Sequence, residues 1–411
     1  MMGIPEPPVV EQASVRFHAL SFIGFQLLLI TTRRLREPIG KLKTYRTMNK
    51  SLLLSMPIMA ILFSCSSNDE NLSEQNSGKG IKFVTNVPSM SVRSGDIDNS
   101  NLSSFNVSAY RNGSIFEGID KKTPTQSGSE WKLSPTVYWP GSETLIFWAY
   151  SPTTLNPTVA STGITMDYTP SNTVASQQDI VAAYATGTST NSAVALQFKH
   201  LLSKIKFQVK SEALNGYTIK IKGVRLGWIK RGKGKLNFSS SGATWTDASD
   251  NGETSYSIGS ESETAIELTD YSTAIGTRNF ADITFDGGAM YIVPQNLDAW
   301  VGSSSQTHNA YISFLCQVSQ YGTKTFPTSG DYAWGAAIGI DTDFVAGNQY
   351  TYQITFFPDG TGGCGYPDPA EDNTDPAQPI VPGGGGSSSE IKFSVSVDTW
   401  TPNTETPSYS N

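Results

Sequence analysis

The feature that most constrains the fold of this chain is an alternation of apolar and polar side chains with a period of two residues. Successive side chains of a β-strand point to opposite faces of a sheet, so this period is typical of strands with one buried face. Turn pairs such as Asn112-Gly113 separate the alternating segments, and both residue types tolerate the positive φ angles of tight hairpins. The clearest predicted strands are 105–109, 145–149, 205–209, 219–224, 291–293, 311–314 and 350–356.

The region around His200 has a mixed pattern, because Phe198, Leu201, Leu202 and Ile205 fall at helical spacing. We interpret residues 196–209 as one strand that can include a β-bulge. The long succession of short strands predicts an all-β fold. Its length suggests two tandem antiparallel β-sandwiches, for which we expect the ranges 81–205 and 206–357.

Composition excludes several other classes of protein. Only 16% of the residues are charged and the net charge is −7, so no basic field is available for binding nucleic acid. The chain has three His and three Cys, too few for a zinc cluster or a dense disulfide framework. No apolar run reaches the roughly 18 residues of a membrane-spanning helix.

The segment 48–65 has the pattern of a secretory signal, with Lys50 near its start and an uncharged stretch after it. It ends in Leu-Phe-Ser-Cys, which resembles the bacterial lipobox, and Cys65 is then the expected lipidation site. The alternative is an ordinary signal in which Cys65 is incidental. We expect translation to begin at Met48, with 1–47 outside the native protein and 65–80 serving as a tether.

The two ends of the body carry similar strands. Residues 358–390 are rich in Pro, Gly and Asp and are interpreted as a linker. The alternating segment that follows this linker begins with Ile-Lys-Phe and has a Val six residues after the Ile. The body begins with the same pattern. The shared apolar faces consist of Ile81, Phe83 and Val87 at the start, and of Ile391, Phe393, Val395 and Val397 at the end, where Trp400 follows.

Two interpretations of these similar ends remain open. Both segments are ordinary edge strands, or they compete for one groove, with the strand at 391–400 donated by another molecule. Exchange requires removal of the first strand. Arg93 lies in a polar stretch just after that strand, where a trypsin-like protease could cut; the alternative is a loop arginine without such a role.

Several motifs in this order resemble the fimbrillin family of Bacteroidetes. They span about 62 to 400 and comprise the lipobox, the strand before Arg93, Tyr138-Trp139-Pro140, 147–152, 179–183, 196–205, Val293-Pro294-Gln295 and 347–352.

The resemblance implies two transthyretin-like sandwiches in a lipoprotein that is exported to the outer membrane and polymerised by strand exchange into a type V pilus. It assigns lipidation to Cys65, cleavage by an Arg-specific protease to Arg93 and the donated strand to 391–400. The expected role is a stalk subunit that supports adhesion, and the expected partners are copies of the chain and other pilus subunits.

No catalytic constellation is recognisable, so we expect neither enzymatic activity nor a cofactor or metal. The Gly-rich run 360–365 matches a dinucleotide motif in spacing alone, because the prolines after it prevent the required helix. His200 is interpreted as a buried structural residue. Cys316 and Cys364 can pair or remain thiols, and we favour a buried thiol for Cys316. The competing function is a monomeric surface lipoprotein that binds glycan or a host protein.

Overall fold

The computed structural model describes residues 78–89, 96–246, 255–269, 274–301, 309–358, 360, 362–370, 380 and 391–399. These residues form β-strands and two short 3-10 helices, Val174–Ser176 and Phe285–Gly287. In chain order the strands are β1 (Lys82–Asn86), β2 (Asn106–Arg111), β3 (Ser114–Ile115), β4 (Thr125–Ser127), β5 (Glu130–Lys132), β6 (Leu145–Ser151), β7 (Thr158–Ala160), β8 (Gly163–Tyr168), β9 (Val181–Gly187), β10 (Val194–His200), β11 (Ser203–Ser211), β12 (Tyr217–Gly227), β13 (Gly234–Ser239), β14 (Gly242–Thr246), β15 (Ser255–Gly259), β16 (Ile266–Leu268), β17 (Ala281–Asp282), β18 (Ala289–Ile292), β19 (Tyr311–Gln320), β20 (Thr323–Phe326), β21 (Ala333–Gly339), β22 (Asn348–Phe356) and β23 (Lys392–Thr399).

The strands form four sheets. The leading sheet has eight strands in the order β3-β2-β6-β9-β10-β1-β5-β4. The trailing sheet contains β17-β11-β22-β23 with β18 beside β11, and the outer sheet contains β15-β12-β19-β20 with β16 and β21 beside β12 and β19. The shared sheet, β14-β13-β8-β7, takes two strands from each half of the chain. The all-β prediction is therefore confirmed, whereas the specific transthyretin-like arrangement stays a prediction.

The positions of the strands along the chain follow the sequence pattern closely. Every segment predicted from the alternation lies in a strand or overlaps one. The Asn112-Gly113 turn has the positive φ angles expected of it, 51° and 83°, and joins β2 to β3. Most pairings are antiparallel, but β1 runs parallel to β10 and β11 runs parallel to β22, so the leading and trailing sheets are mixed.

The interpretation of 196–209 as one strand is wrong. Strand β10 ends at His200 and β11 begins at Ser203. Leu201 and Leu202 are both buried in the break, which explains their helical spacing, since consecutive residues of a continuous strand would face opposite sides. Sheet membership also changes here, from the leading to the trailing sheet. The predicted domain boundary at 205/206 itself stays a prediction.

The described residues form four clusters of buried hydrophobic side chains, and the three larger ones are associated with these layers. The leading core covers one face of the leading sheet and includes Phe83, Phe105 and Phe147. The trailing core lies between the trailing and outer sheets and includes Phe207 and Phe314. A further cluster, which we name the shared core, joins the other face of the leading sheet to the shared sheet. None of the helices in the described ranges has the length and apolarity needed to cross a membrane.

Candidate strand-exchange groove

Strand β1 occupies an internal position in the leading sheet. It runs parallel to β10, with Phe83 opposite Val194, and antiparallel to β5, with Phe83 opposite Trp131. Along the strand order of this sheet, β5 and β4 connect to the other strands through β1. Removing β1 would therefore expose hydrogen-bonding groups of two strands, β10 and β5, and not of one edge alone.

The side chains of β1 that face the leading core are almost completely buried. Phe83 is 0% exposed. Its ring meets those of Phe105 and Phe147 edge to face, with ring centroids 6.3 Å and 5.5 Å apart. Ile81 and Val87, at the two ends of the strand, are buried on the same face. The sequence-predicted residues of the first strand thus come together on one apolar face.

Polar contacts hold both ends of β1. Near its start, Lys82 Nζ lies 3.0 Å from Glu130 Oε1 on β5. Beyond its last residue, the Val87 N–H donates to Asn99 Oδ1 at 2.7 Å. His200 Nε2 lies 3.0 Å from the Pro88 carbonyl oxygen, to which it donates. These contacts fix where the strand begins and ends.

Residues 96–97, on the other side of the segment that contains Arg93, are held by buried charged groups. Lys204 Nζ lies 2.6 Å from Asp96 Oδ2, and the Tyr291 hydroxyl donates to the other oxygen of Asp96. The Ile97 N–H donates to Asp179 Oδ2 at 3.1 Å. Burial lowers the pKa of Lys204 from its ordinary value, and the neighbouring Asp96 opposes that shift. This anchor was missed in the sequence, where Asp96 stands in a polar, turn-like run.

Asp179 and His200 connect the two sides of the Arg93 segment. His200 Nδ1 lies 2.6 Å from Asp179 Oδ2, the oxygen that also accepts the Ile97 N–H. Both ring nitrogens of His200 therefore face oxygen atoms, one from each side of this segment. The interpretation of His200 as a buried structural residue agrees with this geometry.

The trailing strand β23 has a different environment. It lies at the edge of the trailing sheet and pairs antiparallel with β22 of the same chain, from Thr355↔Lys392 to Asn348↔Thr399. Ile391, just before it, is buried in the trailing core, and Val395 packs partly against that core. Val397 is 50% exposed. The predicted apolar face is therefore covered at its beginning and open toward its end.

Part of the predicted linker 358–390 packs against the body. Asp368 is completely buried. Its Oδ2 accepts from Arg225 Nη1 at 3.0 Å and from the Ser313 hydroxyl, and its Oδ1 accepts from the Tyr311 hydroxyl at 2.9 Å. Cys364 is also buried, in the trailing core. Composition could not indicate this, because the partners of Asp368 come from β12 and β19, over 50 residues earlier in the chain.

The remaining predicted site residues lie outside what the structure describes. Cys65, Arg93 and Trp400 belong to ranges that are not described, and so does the side chain of Phe393.

Cys316 and Cys364 are both thiols and both buried, and burial raises the pKa of each. In the described residues, the leading and trailing strands belong to different sheets and do not pair with one another.

Comparison with known proteins decides the family. The family model described as fimbrillin-like matches residues 95–364. The chain belongs to the fimbrillin-like family. A comparison with curated protein sequences found no significant match.

Among the solved structures that match, one supports the fold. A fimbrial protein from Bacteroides vulgatus superposes with a TM-score of 0.53 at 14% identity, covering 78% of this chain and 99% of the other. A candidate cell adhesion protein from Bacteroides uniformis reaches a TM-score of 0.40 at 14% identity over 78% of this chain and 98% of that one. One from Parabacteroides distasonis reaches 0.41 at 10% identity over 80% and 99%. Family membership supports a pilus-type adhesion subunit of the cell surface that assembles with other pilus subunits.

Proposed function

We propose that this fimbrillin-like chain is a stalk subunit of a type V-like fimbria that polymerises by donor-strand exchange. The observation that carries the proposal is the internal position of β1 between β10 and β5. A strand in this position completes the leading sheet, and its removal opens a groove with two unpaired strand edges and an apolar floor. Strand addition to such a groove supplies main-chain hydrogen bonds and pockets for alternate side chains.

The trailing segment has the pattern required to fill that groove. A constant offset of 310 residues places Ile391, Phe393 and Val397 at the positions of Ile81, Phe83 and Val87. Fully burying such a side chain contributes about 1.5–3 kcal/mol before the cost of ordering. A donor taken from a second copy repeats the same head-to-tail contact at every step, and such heterologous contacts build filaments when they do not close into a ring.

The connection to β23 is shorter than the full predicted linker. Asp368 is held in the body, and so is Ile380, which packs against the trailing core and donates its N–H to the Gly365 carbonyl oxygen at 2.9 Å. Residues 381–390 therefore join the last held residue to Ile391, and at about 3.3 Å per residue they span roughly 33 Å when extended. For donation, β23 must leave β22. As an edge strand it has a single neighbouring strand to break from.

Removal of β1 is assigned to proteolysis after Arg93, which lies between two held flanks at residues 88 and 96–97. Before that step, the chain is anchored in the outer membrane through lipid on Cys65. In this account the chain has a structural and adhesive role and carries out no enzymatic reaction. The positions of Cys65 and Arg93 in the sequence support these assignments.

The test starts from the purified chain, which is treated with a trypsin-like protease and examined for SDS-resistant ladders. We expect ladders from the native chain, none from an Arg93→Gln variant and none after deletion of residues 388–411. Mixing the two variants after protease treatment provides a control. The cleaved deletion variant offers a groove and the uncleaved Arg93→Gln variant offers a donor, so a heterodimer should form and go no further.

One observation favours the monomeric alternative, a surface lipoprotein that binds glycan or a host protein. Strand β23 pairs with β22 of its own chain over eight residues. Under that alternative, the deletion of 388–411 leaves the association state unchanged, and the protease produces only a shortened monomer. Either result contradicts donor-strand exchange.

A further inference from the structure

We propose that the contact between subunits extends beyond the β1 groove, through an ion pair between Asp398 of one copy and Lys199 of the next and through docking of Trp400 in an adjacent surface groove. This inference rests on the proposed function. The adjacent groove has a volume of about 370 Å³, and it lies at the end of β1, where Pro88 and Lys199 line it together.

The register of β1 against β10 determines which residues meet there. The parallel pairing reaches Asn86↔Gln197, and the two side chains contact, with Asn86 Nδ2 2.8 Å from Gln197 Oε1. Side chains alternate along a strand. Two residues further on, position 88 therefore lies beside Lys199 on the same face, in agreement with their shared place in the groove.

The 310-residue offset then determines what a donor would place at these positions. Asp398 takes the position of Pro88, and Trp400 takes the position of Met90. Opposite charges on neighbouring strands attract, and Lys199 is exposed and available to a carboxylate from outside. The leading segment cannot form this ion pair, because proline has no charge.

The groove also has suitable chemistry for the indole of Trp400. Lys199 of β10 lines it together with Ala243, Val345 and Ala346. Val345 is 54% exposed, a large apolar side chain that a docked aromatic ring would cover. On an extended donor, Trp400 lies about 6.6 Å beyond Asp398, a distance that an indole side chain can bridge back toward the adjacent groove.

These contacts would favour replacement of the cleaved leading strand by the donor. The donor repeats the apolar face of β1 and adds an ion pair and an aromatic anchor at its end. Buried aromatic anchors carry much of the binding energy of protein interfaces. A subunit whose leading strand has been cleaved would therefore prefer the trailing segment of another copy over the released strand.

The charge pair is tested by reversal in the full-length chain, with the rate of ladder formation after protease treatment as the readout. Lys199→Glu alone and Asp398→Lys alone should each slow ladder formation by about two- to fivefold, the size expected for an exposed ion pair. The double variant carries the pair reversed in every subunit, and its rate should return to that of the native chain. Lys324→Glu, at an exposed lysine on β20 of the outer sheet, is the control for net charge.

The adjacent groove is tested with Trp400→Ala, which should slow ladder formation about tenfold or more. Tyr409→Ala is the matched aromatic control and should have no effect. Filling the groove with Ala346→Phe should slow it as well. Native rates for Trp400→Ala, or no recovery in the double charge variant, overturn this inference. Failure of the proposed function is a different result, because it leaves even the deletion of 388–411 without effect.

Discussion

The leading strand β1 and the trailing strand β23 share an apolar pattern but differ in almost every physical respect. Strand β1 has a neighbour on each side and a fully buried phenylalanine, whereas β23 has one neighbour and a half-exposed valine at the position that matches Val87. The difference shows that a repeated apolar pattern creates a face that can be buried. The neighbouring strands and the core decide whether that face is in fact buried. Among the described side chains, one copy of the pattern is buried in full and the other in part.

The largest loss of stability should follow truncation of the side chain at the centre of β1. Phe83→Ala removes a completely buried ring with two aromatic contacts, and we expect the free energy of unfolding to fall by about 3–5 kcal/mol. Denaturant unfolding of the uncleaved chain measures it. Phe116→Ala, at a partly buried ring packed against the same core, is the control and should cost less than half as much. Equal losses would show that β1 contributes no more than a peripheral element.

A matched pair of valines compares the two strands directly. Val87→Ala empties a site that is 0% exposed, while Val397→Ala shortens a side chain that is 50% exposed. We expect losses of about 2 kcal/mol for the first and under about 0.5 kcal/mol for the second. Thermal unfolding of both single variants beside the native chain decides the comparison. If Val397→Ala costs as much as Val87→Ala, β23 is an integral part of the fold and its donation becomes implausible.

The cores behind the two strands should differ in their response to pH. The trailing core, which Ile391 joins, contains two buried thiols whose pKa values burial raises. In the unfolded chain a thiol ionises near its ordinary pKa of about 8.5. The free energy of unfolding therefore keeps its full value below that pH and falls as the pH rises above it. The expected loss is about 1.4 kcal/mol per thiol by pH 9.5.

Unfolding curves at pH 7.5 and 9.5 test this expectation. A Cys316→Ala, Cys364→Ala double variant should lose less stability over that interval than the native chain, whatever its absolute stability, and each single variant should fall between them. A native chain whose stability is unchanged between the two pH values would contradict the burial of both thiols.

The sequence predicted the strands well, because their alternation is a local property of the chain. It also brought Ile81, Phe83 and Val87 to one face. It failed where the outcome depends on distant partners. Leu201 and Leu202 mark a break between sheets, and Asp368 is buried by groups from β12 and β19. Nothing in the residues next to Asp368 distinguishes it from the other acidic residues of that segment.

The shared sheet has a consequence for a subunit under load. Strand β8 from the first half pairs antiparallel with β13 from the second, from Tyr168↔Gly234 to Ile164↔Phe238. Tension that draws one half of the chain away from the other must therefore tear this ladder of hydrogen bonds, and cannot merely straighten the short connection after His200. In a filament, this ladder would resist separation of the two halves within each subunit.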